Sequence, residues 1–68
     1  MKEKIRVYFE TKIKVHIDCN NGRYYNGEIL EFNEEKSFII LNDRVLGNMP
    51  IMFGDIQNIE KYKEVSQW

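Results

Sequence analysis

The sequence predicts a small all-β fold: a barrel of five short, strongly bent antiparallel strands, with a short helix or extension at the N-terminus. Three observations predict it. From Lys12 to Cys19 polar and apolar residues alternate strictly, the mark of a half-buried strand. Turn-forming residues then interrupt the apolar runs at short intervals. Gly27 stands inside the second run, where a residue without a side chain permits sharp curvature or close backbone approach.

A chain of 68 residues makes one domain. It divides into an N-terminal segment over 1–11, the barrel over 12–62 and a polar tail over 63–68. So short a chain buries a thin core, and disulfides, metals or partner subunits often supplement one. Cys19 is the only cysteine and His16 the only histidine, which excludes an internal disulfide and a Cys/His zinc cluster. Assembly with copies of itself or with another molecule is the remaining source of stability. A lone cysteine fits a reducing, cytoplasmic setting, and with no signal peptide and no long apolar run the chain reads as soluble, without a membrane partner. The formal charge is −1, not the basic balance of a non-specific nucleic-acid binder. The charge is uneven: Lys2, Lys4, Arg6, Lys12 and Lys14 lie near the start, and Glu28, Glu31, Glu34 and Glu35 follow later.

In residues 1–11, Ile5, Tyr8 and Phe9 fall at helical spacing, while Ile5, Val7 and Phe9 alternate as a strand would. We favour a short helix or turn packed against the barrel end. In the first strand Ile13, Val15, Ile17 and Cys19 form the inward face, with His16 on the outward one. Asn20-Asn21-Gly22 is a hairpin turn, because Asn-Gly tolerates positive φ. The second strand runs from Arg23 to Asn33. Its apolar landmarks Tyr25, Ile29 and Phe32 are not in strict alternation: the step of three from Ile29 to Phe32 implies a bulge or strong bend. A strand bent at Gly27 can serve both halves of a barrel. Asn33–Lys36 is the next turn, and Ser37–Leu41 a third strand, apolar on both sides. Asn42-Asp43-Arg44 turns again, Leu46-Gly47-Asn48 reads as loop, Met49–Phe53 as a fourth strand, Gly54-Asp55 as a break and Ile56–Tyr62 as a fifth strand. In the tail, Trp68 frays or docks on a neighbour. SH3-like, OB and Sm-like barrels all meet this description.

The stretch Ile13–Ile59 resembles the Sm-like family, which includes the bacterial Hfq protein. The residues that carry the resemblance are Val15-x-Ile17, Asn21-Gly22, Tyr25, Gly27, Ile29, Phe32 and Asn33, then Phe38-Ile39-Ile40-Leu41. The second family motif is altered. Where relatives have Arg-Gly or Lys-His before the last strand, this chain has Phe53-Gly54-Asp55. Asn33 replaces a usual Asp, Ser37 a usual Asn, and Lys36 the side chain that stacks on a base.

The resemblance implies a ring of about six or seven identical subunits, the fourth strand of one pairing with the fifth of the next. Met49, Pro50, Ile51, Met52, Ile56 and Asn58 would form that interface, with Pro50 a weak point because it lacks an N–H. It also implies single-stranded RNA as partner. Lys36 can meet a phosphate, Ser37 can bond a base through one hydroxyl, Phe53 can stack, and Asn33 would hold the turn. Lys2, Lys4 and Arg6 would add phosphate contacts. The main alternative is a protein-interaction or structural barrel without RNA binding, or a monomeric component of a larger ribonucleoprotein. Catalysis is not expected: no carboxylate pair, nucleophile motif or phosphate-cradling loop appears, and no cofactor, metal or small-molecule substrate is implied.

Overall fold

Ile5, Tyr8 and Phe9 decide the conformation of the N-terminal segment. In a computed structural model, which describes residues 2–63, Lys2–Thr11 is a helix, α1. Ile5 is fully buried, and Tyr8 and Phe9 pack against the core. Val7, which a strand would have turned inward with Ile5 and Phe9, stands 52% exposed. The helix ends at Lys12, whose φ of 58° is left-handed. Lys12 N–H bonds back to the Phe9 carbonyl and Ile13 N–H to the Tyr8 carbonyl, the paired closing bonds of a Schellman motif.

Five strands follow: β1 Val15–Cys19, β2 Tyr24–Asn33, β3 Phe38–Asp43, β4 Gly47–Met52 and β5 Ile56–Lys61. They form one antiparallel sheet in the order β4-β3-β2-β1-β5. The alternation is kept from Val15, where β1 begins, and not from Lys12, which closes the helix and leaves Ile13 half-buried before the strand: Val15, Ile17 and Cys19 are buried, His16 and Asp18 are not. The β1–β2 turn is closed by Gly22, at φ 88°, and by the Asn21 Oδ1 acceptor for Arg23 N–H.

Gly27 is the pivot of the sheet. Tyr24–Gly27 pair with β1 and Gly27–Asn33 pair with β3. Close approach is what forbids a side chain there: a Cβ on Gly27 would lie 1.9 Å from the Asn42 carbonyl oxygen. The irregular spacing of Ile29 and Phe32 is a bulge at Leu30, since Ile29 faces Leu41 while Glu31 faces Ile40. The extra residue returns Ile29 and Phe32 to the same side of the sheet.

Some boundaries move. β3 continues through Asn42 and Asp43, and the turn is Arg44–Leu46. Gly47, read as loop, opens β4 at φ 84°. Phe53–Asp55 forms a 3-10 turn between β4 and β5. The core joins Ile5 of the helix to Val15, Ile17, Ile39, Leu41 and Ile59 of the sheet, all fully buried.

One expectation is corrected. The barrel is not closed by hydrogen bonds, because β4 and β5 are the two edges of the sheet. The expectation for Trp68 lies outside the described residues. No helix among the described residues is long and apolar enough to cross a membrane.

Candidate nucleic-acid interface

The turn after β2 is built from its own side chains. Asn33 Oδ1 accepts Lys36 N–H at 2.8 Å, and Ser37 takes a left-handed φ of 60°. The turn after β3 repeats this plan ten residues later. Asp43 Oδ2 accepts Val45 N–H at 2.9 Å and Leu46 N–H at 2.8 Å, and left-handed Gly47 ends the turn. In both, an Asx side chain satisfies the turn's amides and a left-handed residue follows four positions on.

Phe53 N–H donates to the Ser37 carbonyl at 2.9 Å. That bond brings the turn after β2 beside the turn after β4, so Ser37 and Phe53 stand together, with exposed Lys36 in the same turn. Phe53 is half-buried rather than free. One of its faces meets Phe32, ring centroids 5.5 Å apart, and Phe32 in turn meets Phe9 at 6.1 Å. This row of three rings runs from the last turn of α1 to the 3-10 turn.

Lys2 and Arg6 occupy one face of α1, four residues apart, and both reach Glu34 of the β2–β3 turn. Arg6 Nη2 is 2.6 Å from Glu34 Oε1 and Lys2 Nζ is 3.8 Å from Oε2. The Arg6 guanidinium also lies over the Phe32 ring, 5.6 Å from its centroid, within range of a cation–π contact. The structure therefore brings Lys2 and Arg6 to the turn, already engaged by a carboxylate. Lys4, exposed, falls two positions off their shared face.

The expected interface residues separate into two groups. Ile51 and Ile56 are core residues, 5% and 7% exposed, and have little side chain to offer a neighbour. Pro50, Met52 and Asn58 are exposed, and Met49 is half-buried. Ladder parity decides which backbone groups are free. Because Phe53 N–H bonds Ser37 in register with the β3–β4 ladder, Ile51 and Met49 face β3, while Asn48, Pro50 and Met52 turn their backbone groups outward. The ring nitrogen of Pro50 thus sits on the free edge. On β5 the bond from Tyr62 N–H to the Lys14 carbonyl sets the same parity, leaving Ile59 and Lys61 to present donors and acceptors.

Three further groups carry no site. Cys19 is buried; its burial, then the nearby Asp55 and Asp18 carboxylates, push the thiol pKa above its ordinary value and keep it protonated. His16 is held on the outer face, Nδ1 at 2.6 Å from Asn26 Oδ1 and Nε2 at 3.1 Å from Asp18 Oδ1. Asp43 is the buried last residue of β3. Burial raises its pKa, but the N–H groups of Leu46, Val45 and Asn26, with Arg44 nearby, outweigh burial and hold it below the ordinary value.

Sequence reasoning placed Asn33, Lys36, Ser37 and Phe53 but missed Glu34, Phe9 and Phe32 as their neighbours. Phe32 read as a core landmark and Glu34 as a solvated turn acid, and nothing in the spacing shows that α1 folds over that turn. No known protein family, no curated protein and no solved structure matches this chain.

Proposed function

We propose that the chain is an Sm-like, cytoplasmic RNA-binding subunit that pairs edge to edge into a homo-oligomeric ring of about six or seven copies. The observation that carries the reading is the pair of free edges. The sheet runs β4-β3-β2-β1-β5 without closing, and β4 and β5 are the strands that pair between subunits in Sm-like rings. A helix followed by five strands, with Gly27 of the second shared between the pairings to β1 and β3, supports the same reading.

In this reading single-stranded RNA meets the β2–β3 turn. Lys36 contacts a phosphate, the Ser37 hydroxyl a base edge, and the exposed part of half-buried Phe53 a base. Lys2 and Arg6 add charge from α1. Each contact is weak alone, and repetition around a ring multiplies it. The test combines light scattering with fluorescence anisotropy on short oligo-U and oligo-A. A mass of several copies with salt-sensitive binding is expected. A monomer that binds no oligonucleotide at low salt overturns the proposal.

One observation favours a second reading, a protein-interaction barrel without RNA binding, alone or as a monomer within a larger ribonucleoprotein. Val45 and Leu46, 79% and 63% exposed, are held in solvent on the turn that Asp43 stiffens. A rigid apolar tip of this kind suits a protein partner. A partner retained on the chain after nuclease treatment, together with no RNA binding, would select this reading.

A further inference from the structure

The basic groups of α1 are placed where the helix itself does not favour them. The dipole of a helix favours anions at its start and cations at its end. Here Lys2 and Lys4 flank Glu3 in the first turn, and the last turn holds no basic residue. What Lys2 and Arg6 do engage is one carboxylate, Glu34, at 3.8 and 2.6 Å. Two cations share one carboxylate, so Glu34 alone does not neutralise them. Arg6 is also oriented in advance, its guanidinium set over Phe32. The pairs are about half exposed, and exposed ion pairs are weak and screened by salt. A better anion can therefore take the place of Glu34.

We infer that Lys2 and Arg6 form a phosphate subsite which Glu34 occupies in the free protein, as an internal competitor that an incoming phosphate chain displaces. Arg6 has the fork that suits a phosphate, and Lys2 the point charge. Glu34 is then the specificity-determining residue. A lone anion gains little by displacing it. A run of phosphates that also meets Lys36, two residues on in the same turn, gains enough. The identity of the ligand as RNA rests on the function proposed above; the subsite itself needs only closely spaced phosphates, from a nucleic acid or an inorganic polyphosphate.

The test uses the full chain and its Glu34→Gln variant, with Arg6→Gln added in a double variant. Fluorescence anisotropy with labelled oligo-U and titration calorimetry with inorganic polyphosphate are the readouts, and circular dichroism checks folding. Glu34→Gln is expected to tighten binding roughly 3- to 10-fold at low salt and to steepen the dependence of log K on log salt by about 0.7 per freed charge. Adding Arg6→Gln should abolish the gain. If the wild-type chain binds and Glu34→Gln binds equally or more weakly, Glu34 only latches the helix and the inference fails. If polyphosphate binding responds as described and no oligonucleotide binds, the subsite stands and the RNA reading fails. If neither polyanion binds either protein, the subsite does not exist.

Discussion

A methyl group on Gly27 would sit 1.9 Å from the carbonyl oxygen of Asn42. That carbonyl belongs to the backbone of β3 and cannot rotate away. Gly27 also pairs with Val15 of β1 and Asp43 of β3, so relief would have to come from separating strands. Gly27→Ala is expected to destabilise the fold by about 3 kcal/mol or more, the range of severe overpacking. Urea unfolding measures it; a loss under ~1 kcal/mol would show that the strands part easily there.

Lys12 and Ser37 are the two non-glycine residues at positive φ among those described. Lys12→Gly and Ser37→Gly should each stabilise by about 0.5–1 kcal/mol, since the left-handed strain exceeds the entropy glycine adds to the unfolded chain. Thermal melts read both. Ser37→Gly has a second use: it keeps the turn and removes the hydroxyl, so weaker oligonucleotide binding with a raised melting temperature would mark the hydroxyl as a contact.

Asp43 makes acid stability predictable in sign. Its pKa is lowered in the folded state, so its contribution is fully present above the unfolded value and is lost as pH falls through the folded one. Asp43→Asn cannot satisfy the amides of Asn26, Val45 and Leu46 as a carboxylate does, and should cost about 2 kcal/mol near neutrality. Stability measured down the acid limb should fall less steeply in the variant. Parallel curves for the two proteins would contradict this.

Pro50 offers a test of assembly that leaves the core alone. Its side chain is exposed, and its nitrogen lies on the free edge of β4. Pro50→Ala restores a donor there. If subunits pair through β4, each interface gains about 1 kcal/mol, and the concentration at which the assembly dissociates should fall about 5-fold. Light scattering across a dilution series reads it; an unchanged mass profile would mean that β4 is not the paired edge.

Cys19 should resist thiol reagents in the native protein, because it is buried and held protonated by burial, Asp55 and Asp18. Labelling should become fast only in denaturant. Rapid native labelling would show that the end of β1 opens readily.

The strands were legible because their signals are local. Alternation in β1, the misfit between Ile29 and Phe32, and the glycines at Gly22 and Gly27 each depend on neighbours along the chain, which is what a period-two pattern records. The turn residue Asn33 was legible for the same reason, since its side chain bonds Lys36 three positions on. The end of β3 was misplaced because Asp43 looks like any turn acid until its carboxylate is seen bonded to amides of β2 and of its own turn.

By itself, then, the sequence determined a small, mostly β fold, the order of its strands along the chain and the face that β1 buries. Only the tertiary structure decided which edges stay unpaired, that Phe9, Phe32 and Phe53 align, and that Lys2 and Arg6 meet Glu34 across 28 residues or more. Those relationships join segments distant in sequence. They arise from how the helix folds back over the sheet, a choice governed by shared burial of Ile5 with the strand residues rather than by any pattern within a single element.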